Sequence, residues 1–269
     1  MRVYFDNAAT TSIDTEVLEA MMPYLTEHFG NPSTQYSFGR DTRAAIEEAR
    51  KAIAQLINAQ PGEIVFTSGA TEANNTIIKS AVNYLGVQRI ITSPIEHHCV
   101  ENSVDYCSNE LNIETVFVQI DKNGNVDLED LENKLKSSDK KTLVTLMHAN
   151  NEIGTLLDIE KVGALCQQYH ALFHSDTVQT FAHFPMDVQR MHLDFMSGAA
   201  HKFHGPKGAG FLYMRKQNKL QPLIHGGGQE RGMRSGTENV YGIVGMGAAA
   251  KKAYANLAQD KATILAIKN

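Results

Sequence analysis

Between residues 63 and 175 the sequence alternates short apolar runs with longer segments of helical periodicity, and few folds accommodate that rhythm. Glu63-Ile-Val-Phe66, Arg89-Ile-Ile-Thr92, Ile113 to Val118, Leu143 to Met147 and Ala171 to Ser175 read as strands. Thr71 to Tyr84, Glu96 to Ser108, a short piece near 127–135 and Asp158 to Tyr169 read as helices. The alternation predicts an α/β chain, three-layer α/β/α with a mostly parallel sheet, whose functional loops lie at the carboxyl ends of the strands. Upstream, Asp14 is placed to cap a helix through Val17, Leu18, Met21, Met22 and Leu25, and a second helix runs from Arg40 to Asn58. Gly30-Asn-Pro-Ser33 and Pro61-Gly62 end them. Downstream, Leu193-Asp-Phe-Met196 and Ala209-Gly-Phe-Leu-Tyr-Met214 are strands on either side of a turn, and Val240 to about Ile267 is a long helix.

Composition narrows the class. A chain of 269 residues, 42% hydrophobic and 20% charged, is long enough for a substantial core. Its formal net charge of −5 and the lack of any Lys/Arg block argue against nucleic acid as a partner. No apolar run reaches the roughly 18 residues a bilayer span needs, and nothing reads as a signal peptide, so no membrane role and a cytoplasmic location are expected. Three scattered cysteines, Cys99, Cys107 and Cys166, do not make a disulfide framework and read as small buried residues.

The strand ends carry the chemistry. Phe66-Thr-Ser-Gly-Ala-Thr-Glu72 puts Gly69, Ala70 and Thr71 between a strand and a helix start, where free backbone amides suit a phosphate. Glu96-His97-His98-Cys99 suggests a metal site, but neighbouring helical residues point about 100° apart and cannot easily share one ion; no metal is expected. His148-Ala-Asn-Asn-Glu-Ile-Gly154 and His174-Ser-Asp-Thr-Val-Gln179 place polar groups just past two further strands. In Ser197-Gly-Ala-Ala-His-Lys-Phe-His-Gly-Pro-Lys-Gly208, Lys202 sits on a tight turn, as an amine poised against a carbonyl requires. The glycine-rich run His225 to Thr237 is either flexible or built for close approach. Each segment alone has an ordinary reading as a turn. Together, a phosphate cradle, a flat histidine, an amide, a carboxylate and a lysine are the parts needed to hold pyridoxal 5'-phosphate.

The same residues resemble a known family. Tyr4-Phe-Asp-Asn-Ala-Ala-Thr-Thr11, Phe29-Gly-Asn-Pro-Ser33, Phe66 to Glu72, Glu96-His97, Asn150-Asn-Glu-Ile-Gly154, Ala200 to Gly208 and His225 to Thr237 look like the cysteine desulfurases. The resemblance runs from residue 3 to about 250 and implies the aminotransferase-like fold type I of pyridoxal-phosphate enzymes, here its large domain. It implies a homodimeric enzyme converting L-cysteine to L-alanine, with the sulfur passed as a persulfide to an enzyme cysteine and on to a sulfur acceptor or iron–sulfur scaffold protein, for iron–sulfur cluster or thio-cofactor assembly. It also implies roles. Lys202 resembles the lysine that forms the Schiff base with the cofactor and moves the substrate's Cα proton. His97 matches the ring-stacking, catalytic histidine, Asp176 the pyridinium partner and Gln179 the donor to the phenolic oxygen. Ala70, Thr71 and His201 fall where the phosphate is held, Asn151 near the phenolic oxygen and substrate carboxylate, and Thr237 where a threonine reaches the neighbouring subunit's phosphate.

The resemblance further implies an arrangement of segments: 1–14 packing with a small domain, 15–255 forming the cofactor-binding large domain, and 256–269 starting the connection to a C-terminal small domain missing here. The family's persulfide cysteine and carboxylate-binding arginine lie beyond the glycine-rich motif, and none of the three cysteines here matches that position, so the expectation is an incomplete desulfurase. A related fold-type-I lyase such as a selenocysteine lyase, or a non-catalytic scaffold, are the rival readings. The sequence also departs at Ala199, three residues before the lysine, where the family usually has a phosphate-binding serine; Ser197 is the candidate substitute.

Overall fold

A computed structural model describes residues 2–268; Met1 and Asn269, the outer ends of two expected segments, lie outside the described residues. The strands are β1 (Ile64–Thr67), β2 (Arg89–Thr92), β3 (Glu114–Phe117), β4 (Thr142–Thr145), β5 (Leu172–Asp176), β6 (Phe195–Ala199) and β7 (Gly210–Met214). The helices are α1 (Thr15–Thr26), α2 (Ser37–Leu56), α3 (Ala70–Leu85), α4 (His98–Leu111), α5 (Leu128–Lys136), α6 (Ile159–Gln168) and α7 (Val240–Lys268). The seven strands form one sheet in the order β1-β7-β6-β5-β4-β2-β3. Pairs from β6 to β3 are parallel, whereas β7 runs antiparallel to both neighbours. The sheet is therefore mostly parallel, as the alternation predicts. β7 departs because the turn after Lys202 is too short for a crossover, which a parallel return would need.

Side chains alternate across the strands and so build two cores. Val65, Ile90, Leu143, Phe195 and Leu212 face α3 and α4, meeting Ala73, Ile77, Val100 and Val104. Their neighbours Phe66, Ile91, Val144, Met196 and Phe211 face the layer of α2, α5, α6 and α7. The expected helices occupy their places with shifted ends. α2 begins at Ser37 rather than Arg40, and α4 begins at His98 rather than Glu96. The second shift has a physical cause: the ring of His97 itself caps α4 by accepting from the Cys99 amide, so Glu96 and His97 lie outside the helix. Among the described residues no helix is long and apolar enough to cross a membrane.

One buried ion pair ties the glycine-rich segment to this framework. Arg50 of α2 forms a two-pronged contact with Glu230, both bonds 2.8 Å, and also donates to the Ile64 carbonyl. Glu230 in turn accepts from the Phe66 amide at 2.8 Å. Both charges are nearly sealed from water, at 2% and 6% exposure. Removing Glu230 would leave Arg50 with the partly exposed Glu47, 3.1 Å from its Nε, as its one carboxylate contact, and breaking a buried pair of this kind costs about 3–5 kcal/mol. Glu230→Ala is expected to lower unfolding stability by that amount in urea titration, with the native circular dichroism retained.

Candidate active site

The parallel strands place their carboxyl ends along one edge, and β7, running the other way, brings its amino end to the same edge. A cavity of about 590 Å³ opens there, within the range of small-ligand sites. It is lined by Gly69, Ala70 and Thr71 after β1, His97 after β2, Asn151 after β4, Asp176 and Gln179 after β5, and His201 and Lys202 after β6. Eight of the nine residues singled out from the sequence as site candidates thus meet in one space. Thr237 does not. It is exposed and lines a separate recess with Ser68, Gly208 and Arg234, across the Gly69 turn from the cavity.

The Gly69 turn fits a phosphate. The first amides of α3, at Ala70 and Thr71, have no carbonyl one turn earlier to accept them, and both residues border the cavity. A Cβ added at Gly69 would meet no atom within 4 Å, so glycine leaves that space open. At Gly210 a Cβ would lie 2.6 Å from the Gly69 Cα, so β7 presses directly against the turn. His201 and Lys207 also line the cavity, offering donors and, at Lys207, positive charge. Ala199 also lines the cavity, but Ser197 does not: it is fully buried and its hydroxyl has no partner, so it does not replace the missing serine.

Asp176 is the buried anion of the site, at 4% exposure. Its oxygens accept from Asn74 Nδ2 at 2.7 Å and from the Val178 amide at 3.0 Å. Burial pushes its carboxyl above the usual range, while these donors and the nearby His97 and Lys202 pull the other way. Burial also lowers the Lys202 amine, which favours the neutral nucleophile. That amine donates to the carbonyls of Ala8 and, at 3.0 Å, Ala9. The irregular N-terminal segment is thereby docked on the lysine turn, through the Thr11 amide to the His201 carbonyl (2.8 Å) and the Asp14 amide to the His204 carbonyl (3.0 Å). His97 is fixed as well. Because its Nδ1 accepts from the Cys99 amide at 3.1 Å, the ring hydrogen of the neutral form belongs on Nε2. Gln179 donates to Ala8, and Asn151 Nδ2 to Glu152 Oε1 at 2.6 Å.

Sequence reasoning missed Asn74, although a signal existed: it is a polar residue on the apolar face of α3, beside Ala73, Ile77 and Ile78. It also missed the cavity-lining Lys207, Met147 and Ala9. Cys99 is buried as expected, yet it borders the cavity, with Sγ 3.0 Å from His97 Nδ1.

A class-V aminotransferase model matches residues 3–266. The chain belongs to the aminotransferase class-V family. A class-V relative, the cysteine desulfurase IscS of Dictyoglomus turgidum, is 49% identical over 249 residues, 92% of this chain and 62% of its own length. The cysteine desulfurase IscS of Methanosarcina thermophila is 44% identical over 99% of this chain and 66% of its own length. The chain thus spans somewhat under two thirds of these two relatives' lengths. Among solved structures, a NifS-like protein superposes with a TM-score of 0.91 at 44% identity, covering 96% of this chain and 71% of the other. SspA, solved in complex with cysteine, gives 0.88 at 39%, covering 93% and 72%.

Burial disfavours the thiolate form of all three cysteines in this class-V chain. Burial pushes Cys99 and Cys107 up to about 11 and raises Cys166 further, so almost no thiolate forms near neutrality. Iodoacetamide at pH 7.5 is expected to leave the native mass unchanged over a period in which the urea-unfolded chain takes up three adducts; rapid native labelling of Cys99 would contradict the buried geometry.

Proposed function

We propose that this chain carries the cofactor site of a pyridoxal-phosphate-dependent cysteine desulfurase. The observation that supports the reading is the convergence of Lys202, Asp176, His97 and the first residues of α3 on one cavity. The donor set fits the group. Ala70, Thr71 and His201 would hold the phosphate, Asp176 the pyridine nitrogen, Gln179 and Asn151 the phenolic oxygen, and His97 would stack on the ring. When bound, pyridoxal phosphate supplies an electron sink for carbanion chemistry at the substrate Cα.

The chain's own groups account for the rest. Lys202, whose amine burial shifts toward its neutral form, would be the residue that holds the cofactor's aldehyde carbon and the base positioned for the substrate Cα proton. His97, with Nδ1 committed to the helix cap, handles protons through Nε2. Asp176, which accepts from Asn74, would meet the pyridine nitrogen and favour its protonated form. The proposed substrate is L-cysteine, in keeping with the names of the relatives and with the cysteine held by SspA. In the net reaction L-cysteine and an acceptor thiol give L-alanine and a persulfide. The buried Cys99, Cys107 and Cys166 are unsuited to be that thiol.

The same reading includes a homodimer in which the exposed Thr237 reaches the partner's phosphate, a sulfur acceptor or iron–sulfur scaffold protein as downstream partner, and a cytoplasmic setting. It also keeps residues 15–255 as the large domain, with 1–14 and 256–269 serving a small domain. Mixing the chain with pyridoxal phosphate is expected to produce a Schiff-base absorbance band that Lys202→Ala lacks; an identical band in the variant would sink the assignment.

A further inference from the structure

Behind Asp176, on the face of the sheet that packs against α3, three polar side chains are fully buried in a layer otherwise made of Leu143, Phe195 and Ile77. Thr145 of β4 lies 2.8 Å from His174 Nδ1, His174 Nε2 lies 3.1 Å from Asn74 Oδ1, and Asn74 Nδ2 lies 2.7 Å from Asp176 Oδ2. We infer that Thr145, His174 and Asn74 form a buried relay of positioning residues that fixes the orientation and ionisation of Asp176 at the cavity edge. This rests on the cofactor reading above, in which Asp176 meets the pyridine nitrogen.

The direction of the relay follows from what each atom can do. An ionised Asp176 only accepts, so the Asn74 atom beside it is the NH₂ group. The amide oxygen then faces His174, whose Nε2 must donate. Burial holds His174 neutral, pushed down to about 3, so it has one ring hydrogen and Nδ1 is left to accept from the Thr145 hydroxyl. Each assignment forces the next, and an Asn74 flip would set oxygen against oxygen. Because His174 is neutral, the relay delivers oriented donors and no counter-charge. Apolar side chains of the same shape would fill this layer without such constraints, and a fully satisfied buried network mainly specifies a unique arrangement. The groups whose charge bears on Asp176 are His97 and Lys202, which favour its ionised form, and Glu96 and Cys99, which would oppose it if ionised.

The test is nuclear magnetic resonance on the chain with ¹⁵N-histidine and ¹³C-carboxyl aspartate, alongside titration with pyridoxal 5'-phosphate. His174 is expected to show its single ring hydrogen on Nε2 across pH 5–9. In His174→Leu the Asp176 carboxyl is expected to take up its proton at a pH roughly one unit higher, and the protonated-pyridine absorbance of the bound cofactor to weaken. His174→Gln, whose amide nitrogen reaches the position of Nε2, is expected to restore both. A ring hydrogen on Nδ1 in the unmodified chain would overturn the relay, and that measurement needs no variant to fold. So would a folded His174→Leu with unchanged Asp176 titration, or a His174→Gln no better than His174→Leu. The tautomer and the carboxyl titration need no cofactor, so failure of the unmodified chain to bind pyridoxal phosphate would count against the cofactor reading instead.

Discussion

A carboxylate taken out of water is among the more costly things a fold can contain, and the end of β5 contains one. Asp176 is tolerable there because Asn74 and the Val178 amide donate to it and because Lys202, in its protonated form, favours its charge. Much of the surrounding structure serves these contacts. α3 begins at Ala70, just past the Gly69 turn, and so brings Asn74 over the sheet one turn later. His97 stays outside α4 as its cap, held toward the same edge. The lysine turn is clasped by residues 8–14, whose carbonyls and amides meet Ala200 to His204. The Asp176 carboxyl therefore sits where the phosphate turn, the histidine loop and the lysine turn converge on one cavity.

A second buried charge pair secures the glycine-rich segment. Glu230 and Arg231 have φ of 45° and 58°, a left-handed backbone that costs a non-glycine residue roughly 1–2 kcal/mol. The two-pronged contact between Arg50 and Glu230, with the Phe66 amide and the cation 4.6 Å from the Phe66 ring, offsets that strain. Arg234 adds a bridge to Glu72 at 2.9 Å, on the first turn of α3. The segment that carries Thr237 is thus tied to the back of the phosphate turn despite its glycine content.

The layers were legible because periodicity is local: Val65 against Phe66, or Leu212 against Phe211, reveals a strand buried on both faces. The strand-end residues were legible because the α/β architecture sends them to one edge. What the sequence hid depends on partners far apart in the chain. Asn74 meets Asp176 across 102 residues, and Lys202 meets Ala8 across 194. The late start of α4 was hidden because a histidine ring is an unusual cap. Ser197 and Ala199 share a strand face, so only depth separates the cavity wall from the core, and depth has no sequence signature.

The central claim is that Lys202 is the residue this site presents to an aldehyde. The direct measurement is to load the unmodified chain with pyridoxal 5'-phosphate, reduce with borohydride and map the modified peptide by mass spectrometry. The account predicts a single phosphopyridoxyl adduct on Lys202. Adducts spread over surface lysines such as Lys51 or Lys161, with Lys202 unmodified, would contradict it.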